Sequence, residues 1–146
     1  TFIQPDQRLR LVGVQLKFNP LPEVLDGKRV VVVDDSIVRG TTTPPGIGLL
    51  RKAGAREVHM RICAPPMTHP CYLGVDTARK SELVAARMSV EEIRRHIGAD
   101  TLGYLSLGGL LASVGSEEGQ YCQACFTGNY PVPVQLEMDK LVLEAL

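Results

Sequence analysis

The chain has 146 residues and a mass of 15.9 kDa, a length that suits a single domain. Its composition, 45% hydrophobic and 22% charged, excludes an intrinsically disordered chain. Sixteen Lys and Arg balance sixteen Asp and Glu, so the formal net charge is zero and we expect no nucleic-acid partner. No apolar run approaches the roughly 20 residues that cross a bilayer, and no signal peptide is recognisable, so we expect a cytoplasmic protein without a membrane partner.

The first half of the chain contains two predicted strands with a helix between them. Apolar and polar residues alternate over residues 13–18, which is typical of a strand or an ordered loop edge. Four consecutive valines in residues 29–33 predict the strongest strand, placed centrally in a parallel sheet that is covered on both faces. Two prolines at 44–45 suit the first turn of a helix that ends near Gly54. The next strand is predicted over residues 57–63, which completes a βαβ unit.

The second half adds a helix, a short strand and a last helix. Ser89 and Glu92 have the spacing of a capping box and predict a helix start. A strand is predicted over residues 101–105 and a helix over residues 107–114. Residues 115–133 are rich in Gly, Pro and polar side chains, and predict a loose loop unless the cysteines tie it down.

We therefore expect an α/β fold, a parallel sheet flanked by helices. Residues 1–115 are assigned to this domain, and residues 116–146 to a tail that contains cysteines. The spacing of the four cysteines does not suggest a disulfide framework, and a metal or cluster site is the better interpretation.

Two adjacent carboxylates, Asp34 and Asp35, close the valine strand at the edge where open α/β sheets bind ligands. The loop after them offers hydroxyls, backbone amides, the flexible Gly40 and a helix start, which together suit a phosphate. The two acids suit ribose hydroxyls or a hydrated Mg²⁺. These features predict a phosphorylated sugar with a magnesium ion as the ligand. The alternative is an acidic strand end followed by an ordinary polar turn.

A second group of candidate residues is Cys71 with the CxxC pair Cys122 and Cys125. A CxxC pair places two thiolates within reach of one metal or cluster, but it is equally typical of a redox pair. Cys63 brings the count to four. Because it lies in an apolar strand, we predict that it is a small buried packing residue and not a ligand.

The three histidines show no metal-ligand spacing with nearby carboxylates or cysteines. We expect packed or solvated roles for His59, His69 and His96. His96 stands at the end of a predicted helix, where its charge would complement the helix dipole.

The segment from Val30 to Thr43 resembles the phosphoribosyl pyrophosphate (PRPP) motif of the type I phosphoribosyltransferases, and especially of the glutamine-dependent members that begin purine synthesis. Other segments resemble the same family in register, namely residues 1–5, 13–20, 65–74, 89–93, 98–102 and 121–131. The resemblance implies the parallel sheet and flanking helices of a type I phosphoribosyltransferase, of which the chain covers the later part.

The resemblance also implies roles for individual residues of the motif. Asp34 and Asp35 would serve the ribose and Mg²⁺. The residues that would line the 5′-phosphate loop are Ser36, Val38, Arg39, Gly40, Thr41 and Thr42. Lys17 matches a basic residue of a mobile loop that closes over the pyrophosphate during catalysis. Without the family context, a solvated lysine at a strand edge would explain Lys17 better.

In the members most similar to this chain, the resemblance implies a [4Fe–4S] cluster. Its ligands would include Cys71, Cys122 and Cys125, and a fourth cysteine would lie upstream of this chain. Such a cluster would be structural, holding the tail on the domain. If the fourth ligand is absent, an incomplete cluster, zinc or no metal are the alternatives.

The activity implied by the resemblance is the transfer of glutamine-derived ammonia to C1 of PRPP, giving 5-phosphoribosylamine and pyrophosphate. Purine nucleotides would act as feedback ligands, and the whole protein would form a homotetramer. A glutaminase half with an N-terminal cysteine nucleophile is not part of this sequence. Two other interpretations stay open: a non-catalytic module that senses PRPP, and a fragment without activity of its own.

Overall fold

The computed structural model describes residues 18–75, 79–115 and 119–134. In these residues one parallel sheet has the strand order β1-β2-β3, where β1 is Arg29–Asp34, β2 is Glu57–Ile62 and β3 is Thr101–Tyr104. The helices are α1 (Pro22–Leu25), α2 (Thr43–Lys52), α3 (Val90–Ile97), α4 (Leu107–Ser113) and α5 (Ala124–Thr127). Two 3₁₀ turns cover Lys80–Glu82 and Val84–Ala86. Within the described ranges, no helix has the length and apolar character needed to cross a membrane.

The predicted α/β architecture is confirmed: β1, α2 and β2 follow one another, and all strand pairs are parallel. The predicted start of α3 is also confirmed. The Ser89 hydroxyl accepts a hydrogen bond from the Glu92 N–H at 3.3 Å, and the Glu92 carboxylate accepts one from the Ser89 N–H at 2.7 Å. Gly98 then ends the helix in the left-handed conformation, with φ of +76°. The predicted strand over residues 13–18 lies outside the described residues except for Phe18.

The core lies on one face of the sheet. Along β2 the side chains alternate, and Val58, Met60 and Ile62 are buried. They form one cluster with Ile47 of α2 and Ile93 of α3. Burying an aliphatic side chain of this size contributes about 1.5–3 kcal/mol, so this cluster fixes the two helices on the sheet.

Among the described residues, the valine strand β1 is covered on one face only. Val30 and Val32 pack against the core, whereas Val31 and Val33 are 61% and 66% exposed. The expectation of a central strand covered on both faces is therefore wrong for the described residues. Within them β1 pairs only with β2, and because alternate side chains of a strand point to opposite faces, the helices on one face cannot cover both valine pairs.

A polar ladder crosses the other face of the sheet. Glu57 accepts hydrogen bonds from Arg29 at 2.7 Å and pairs with His59 at 3.0 Å. His59 also bonds the Thr101 hydroxyl at 3.0 Å, which in turn accepts from Arg61 at 3.0 Å. The hydrogen bond from Arg29, followed by that from His59, lowers the pKa of Glu57. His59 thus has a packed, hydrogen-bonded role in this ladder.

Asp100 joins three parts of the fold at the start of β2. Its Oδ2 accepts hydrogen bonds from the Val58 N–H and from the Arg51 guanidinium, both at 2.6 Å. Arg51 also donates to the carbonyl of Arg56 at 2.8 Å. These contacts tie the end of α2 and the segment before β3 to β2. The Val58 amide, followed by Arg51, lowers the pKa of Asp100.

We expect Asp100→Ala to lower the free energy of unfolding at pH 7 by about 1–2 kcal/mol, because the substitution removes a charged acceptor and leaves the Val58 N–H without its partner. Since the pKa of Asp100 is lowered in the folded state, its stabilisation is present at neutral pH. It is lost as the pH falls through that lowered value, below about 4. Urea unfolding of both proteins at several pH values should show that their difference in free energy of unfolding becomes smaller as the pH falls below about 4.

Glu23→Gln is the matched control, because Glu23 is exposed in α1 and its side chain forms no hydrogen bond or ion pair with the described residues. It should unfold like the parent chain. Equal stability of Asp100→Ala and the parent chain at pH 7 would show that Asp100 does not hold these elements together.

Candidate functional site

The two predicted acids lie at the carboxyl edge of the sheet. Asp34 is the last residue of β1, Asp35 follows it, and both residues are exposed. The Asp35 N–H donates to Asp34 Oδ1 at 3.0 Å, and the Ser36 hydroxyl donates to Asp35 Oδ1 at 3.1 Å. These local bonds orient both carboxylates at the edge where the ligands of α/β sheets bind.

The loop after the acids is held by contacts with the core cluster and with the two 3₁₀ turns. Ile37 is 3% exposed and belongs to the core cluster. The Val38 carbonyl accepts a hydrogen bond from the Val84 N–H at 2.9 Å, in the second 3₁₀ turn. The Arg39 guanidinium donates to Glu82 at 2.9 Å. The Arg39 side chain is therefore held by an ion pair, whereas its backbone N–H has no acceptor among the described residues.

Gly40 is buried and has a φ of +71°, a conformation that residues with a side chain rarely adopt. A Cβ at this position would lie 3.3 Å from Val84 Cγ2 and 3.6 Å from His96 Cδ2. The Gly40 carbonyl lies 3.2 Å from His96 Nε2. The loop is therefore pressed against α3 and the second 3₁₀ turn at this residue.

The contact between His96 and Gly40 was not predicted. Sequence reasoning placed His96 at a helix end and assigned it to the helix dipole. No local signal could have found the contact, because the two residues are 56 positions apart and meet only when α3 packs beside the loop.

The backbone N–H groups of the loop form no hydrogen bond with the described part of the chain. The N–H groups of residues 36–42 find no acceptor among the described residues, whereas the carbonyls of Val38 and Gly40 are both occupied. Thr42 precedes α2, but its hydroxyl does not cap that helix. A row of free amides and hydroxyls that leads into a helix start is suited to an anion. Lys17, the predicted lid residue, lies outside the described residues.

The second predicted group lies where the tail meets the domain. The N–H groups of Thr68 and His69 both donate to the Cys125 carbonyl, at 3.0 and 3.1 Å. The Tyr130 hydroxyl donates to the Pro70 carbonyl at 2.7 Å. These bonds hold the CxxC segment on the loop that precedes Cys71. The division of the chain after residue 115 stays a prediction.

Cys71 and Cys122 lie close enough to Cys125 for their charges to act on its thiol. Burial, followed by the nearby Cys71 and Cys122, raises the pKa of the Cys125 thiol. The Leu73 N–H donates to Cys71 Sγ at 3.4 Å. No disulfide joins the four cysteines of the chain. Among the described residues, however, no group of three or more His, Cys, Asp or Glu is arranged to hold a single metal ion.

Cys63 is exposed, so the prediction of a buried packing residue is wrong. The reason is that β2 ends at Ile62, one residue earlier than predicted, and Cys63 begins the following loop. Its N–H donates to the Asp34 carbonyl at 2.9 Å, which places it beside the acidic pair. The thiols that influence Cys125 are Cys71 and Cys122.

Known proteins match the chain closely over most of its length. No model of a protein family matches it. An amidophosphoribosyltransferase from Synechocystis is 52% identical over 99% of the chain, and one from Bacillus subtilis is 55% identical over 92%. A chloroplastic amidophosphoribosyltransferase from Glycine max is 56% identical over 97% of the chain. The chain spans 30%, 29% and 25% of the length of these relatives, respectively.

Solved structures give the same result for the fold. Glutamine PRPP amidotransferase from B. subtilis, in complex with ADP and GMP, superposes with a TM-score of 0.76 at 52% identity. The match covers 90% of this chain and 30% of that one. A structure described as the allosteric regulatory enzyme of purine biosynthesis superposes with a TM-score of 0.72 at 49% identity, over 91% of this chain and 30% of that one. The sheet and its flanking helices are therefore those of the phosphoribosyltransferase-type domain of these proteins.

We expect Gly40→Ala to destabilise the chain by about 1–3 kcal/mol, because it forces a side chain into a left-handed backbone conformation and against Val84. Gly48→Ala is the matched control. Gly48 lies inside α2 with nothing within 4 Å of its added Cβ, so alanine should stabilise the chain by about 0.5–1 kcal/mol. Denaturant unfolding measures both effects. A stabilising Gly40→Ala would mean that the loop does not hold the described conformation.

Proposed function

The chain is homologous to one segment of the amidophosphoribosyltransferases, and we propose that this segment binds PRPP with Mg²⁺ for the transfer of ammonia to C1 of the ribose. The proposal depends on the polar groups at the end of β1 and in the loop that follows it. Two solvent-facing acids precede seven N–H groups, those of residues 36–42, that have no acceptor in the described chain.

In this proposal the loop receives the 5′-phosphate. The ligand's oxygens accept hydrogen bonds from the amides of residues 36–42 and from the Thr41 and Thr42 hydroxyls. The N-terminus of α2 adds the favourable field of a helix dipole. Arg39 contributes its backbone amide, since its side chain is paired with Glu82. Neutral donors suit the 5′-phosphate, because this group stays bound while charge develops at C1 and on the leaving pyrophosphate.

Asp34 and Asp35 are the acceptors of the site. Their carboxylates would repel a phosphate, so they fit the hydroxyls of the ribose and the waters of a hydrated Mg²⁺. When bound, Mg²⁺ neutralises charge on the pyrophosphate leaving group. The chain's own part is to orient the sugar between the loop and the acids, with the bonds from the Asp35 N–H and the Ser36 hydroxyl fixing the two carboxylates.

The reaction breaks the bond from C1 to the pyrophosphate oxygen and forms a bond from C1 to the nitrogen of ammonia. The configuration at C1 inverts, pyrophosphate leaves with the electron pair of the broken bond, and the new ammonium group loses a proton to solvent water to give 5-phosphoribosylamine. Ammonia is already a nucleophile, so this segment needs no strong general base. Its contribution is binding and positioning, which suits a site of two acids and a row of amides. Glutamine is the proposed source of the ammonia, supported by the name of the B. subtilis relative, a glutamine PRPP amidotransferase.

A [4Fe–4S] cluster is the proposed cofactor of the tail. Cys71 and Cys122 lie close enough to Cys125 for their charges to act on its thiol, and cysteine thiolates are the ligands that hold iron–sulfur clusters. The Leu73 N–H bond to Cys71 is the type of contact that tunes cluster sulfurs. Cys71, Cys122 and Cys125 would hold the cluster, which supplies a structural link between tail and domain.

Purine nucleotides are the proposed regulatory ligands, supported by the ADP and GMP bound to the B. subtilis relative. The cytoplasm is the proposed compartment for this chain, although the plant relatives are chloroplastic. The homotetramer stays a prediction.

We expect the chain to bind PRPP in the presence of Mg²⁺, and Asp35→Asn to weaken that binding at least tenfold, about 1.4 kcal/mol, because the amide lacks the charge that holds the hydrated ion. Titration calorimetry with and without EDTA measures both. Glu23→Gln is the matched control, since Glu23 lies in α1 before the opposite end of β1. Equal affinity of Asp35→Asn and the parent chain would refute the assignment of the acids.

We expect the protein purified without oxygen to contain iron and sulfide and to absorb visible light, and Cys122→Ser to lose both signals because one ligand is gone. Cys63→Ser is the matched control, because Cys63 is exposed beside Asp34 and should leave the iron content unchanged. Zinc in place of iron, or loss of iron in Cys63→Ser alone, would contradict the assignment.

A further inference from the structure

We propose that His96 is a positioning residue for the phosphate loop, holding one peptide group so that its N–H faces the bound anion. This inference rests on the proposed function. His96 lies in the last turn of α3, outside the motif, and its Nε2 is 3.2 Å from the Gly40 carbonyl oxygen. A carbonyl oxygen can only accept a hydrogen bond, so Nε2 must carry the proton of this contact.

The consequence follows from the geometry of the peptide bond. The described chain contains no cis peptide bonds, and in a trans peptide the C=O of one residue and the N–H of the next point in opposite directions. When His96 takes the Gly40 carbonyl toward α3, the Thr41 N–H is turned away from α3. The bond from the Val84 N–H to the Val38 carbonyl does the same for the Arg39 N–H. Two alternate amides of the loop are thus directed to one side by contacts on the other.

Gly40 itself cannot supply this orientation. It has no side chain, and glycine adopts a positive φ about as readily as a negative one, so the peptide group after it is the part of the loop most free to rotate. His96 is carried by a helix with a complete capping box and with Ile93 and Ile97 buried in the core. The His96 ring is therefore held in position by a helix packed on the core, and a preorganised anion site requires such fixed groups.

The test compares three variants by their affinity for ribose 5-phosphate and for PRPP with Mg²⁺. His96→Phe keeps the ring but removes the donor, and should weaken binding about tenfold. His96→Gln restores a side-chain N–H near the same place, and should stay within about threefold of the parent chain. Arg95→Gln is the matched control, because Arg95 is exposed on the same helix and its ion pair within the described residues is with Glu91. Melting temperatures establish that each variant is folded, and His96→Leu replaces His96→Phe if that variant is not.

Backbone NMR gives a readout that a purely structural role would not change. In the parent chain, ribose 5-phosphate should shift the Thr41 amide signal strongly, and in His96→Phe this shift should be lost while the amide signals of β2 stay in place. If the parent chain binds and His96→Phe binds equally well with the same Thr41 shift, the role of His96 is overturned and the proposed function stands. If the parent chain binds neither ligand, the proposed function fails and this inference fails with it.

Discussion

The candidate site depends on one constraint: the carbonyl groups of the loop after β1 are bound by the scaffold beneath it. The Val84 amide and the His96 ring occupy the carbonyls of Val38 and Gly40. Because the C=O and the N–H of a trans peptide point in opposite directions, these two contacts turn the Arg39 and Thr41 amides away from the scaffold. Backbone amides beside a helix start are the groups with which proteins commonly bind anions.

Backbone hydrogen bonds also bring the cysteine segments together. Cys71 and Cys125 are 54 positions apart in sequence, and the amides of Thr68 and His69 join their segments through the Cys125 carbonyl. Gly128 lets the segments approach, since a Cβ there would lie 2.8 Å from His69 Nε2. Backbone contacts therefore bring together the two segments that carry Cys71 and Cys125.

In the described residues, helices cover one face of the sheet and leave the other face exposed at β1. Val30 and Val32 face the helices, while Val31 and Val33 face away from them next to the polar ladder. Apolar β-branched side chains at such a position are typical of a parallel strand that is covered from both sides. This fits a chain that spans less than a third of the length of the relatives it matches.

Local structure could be predicted from the amino-acid order alone. The valine run, the capping box at Ser89 and the acids at the strand end depend on neighbours within a few positions, and these short-range preferences are strong enough to predict. Three features appear first in the folded chain: β1 lies at an edge of the described sheet, Cys63 is exposed, and His96 contacts the Gly40 carbonyl. These outcomes depend on contacts between distant segments, which form when the core packs and leave no periodic signal in the sequence.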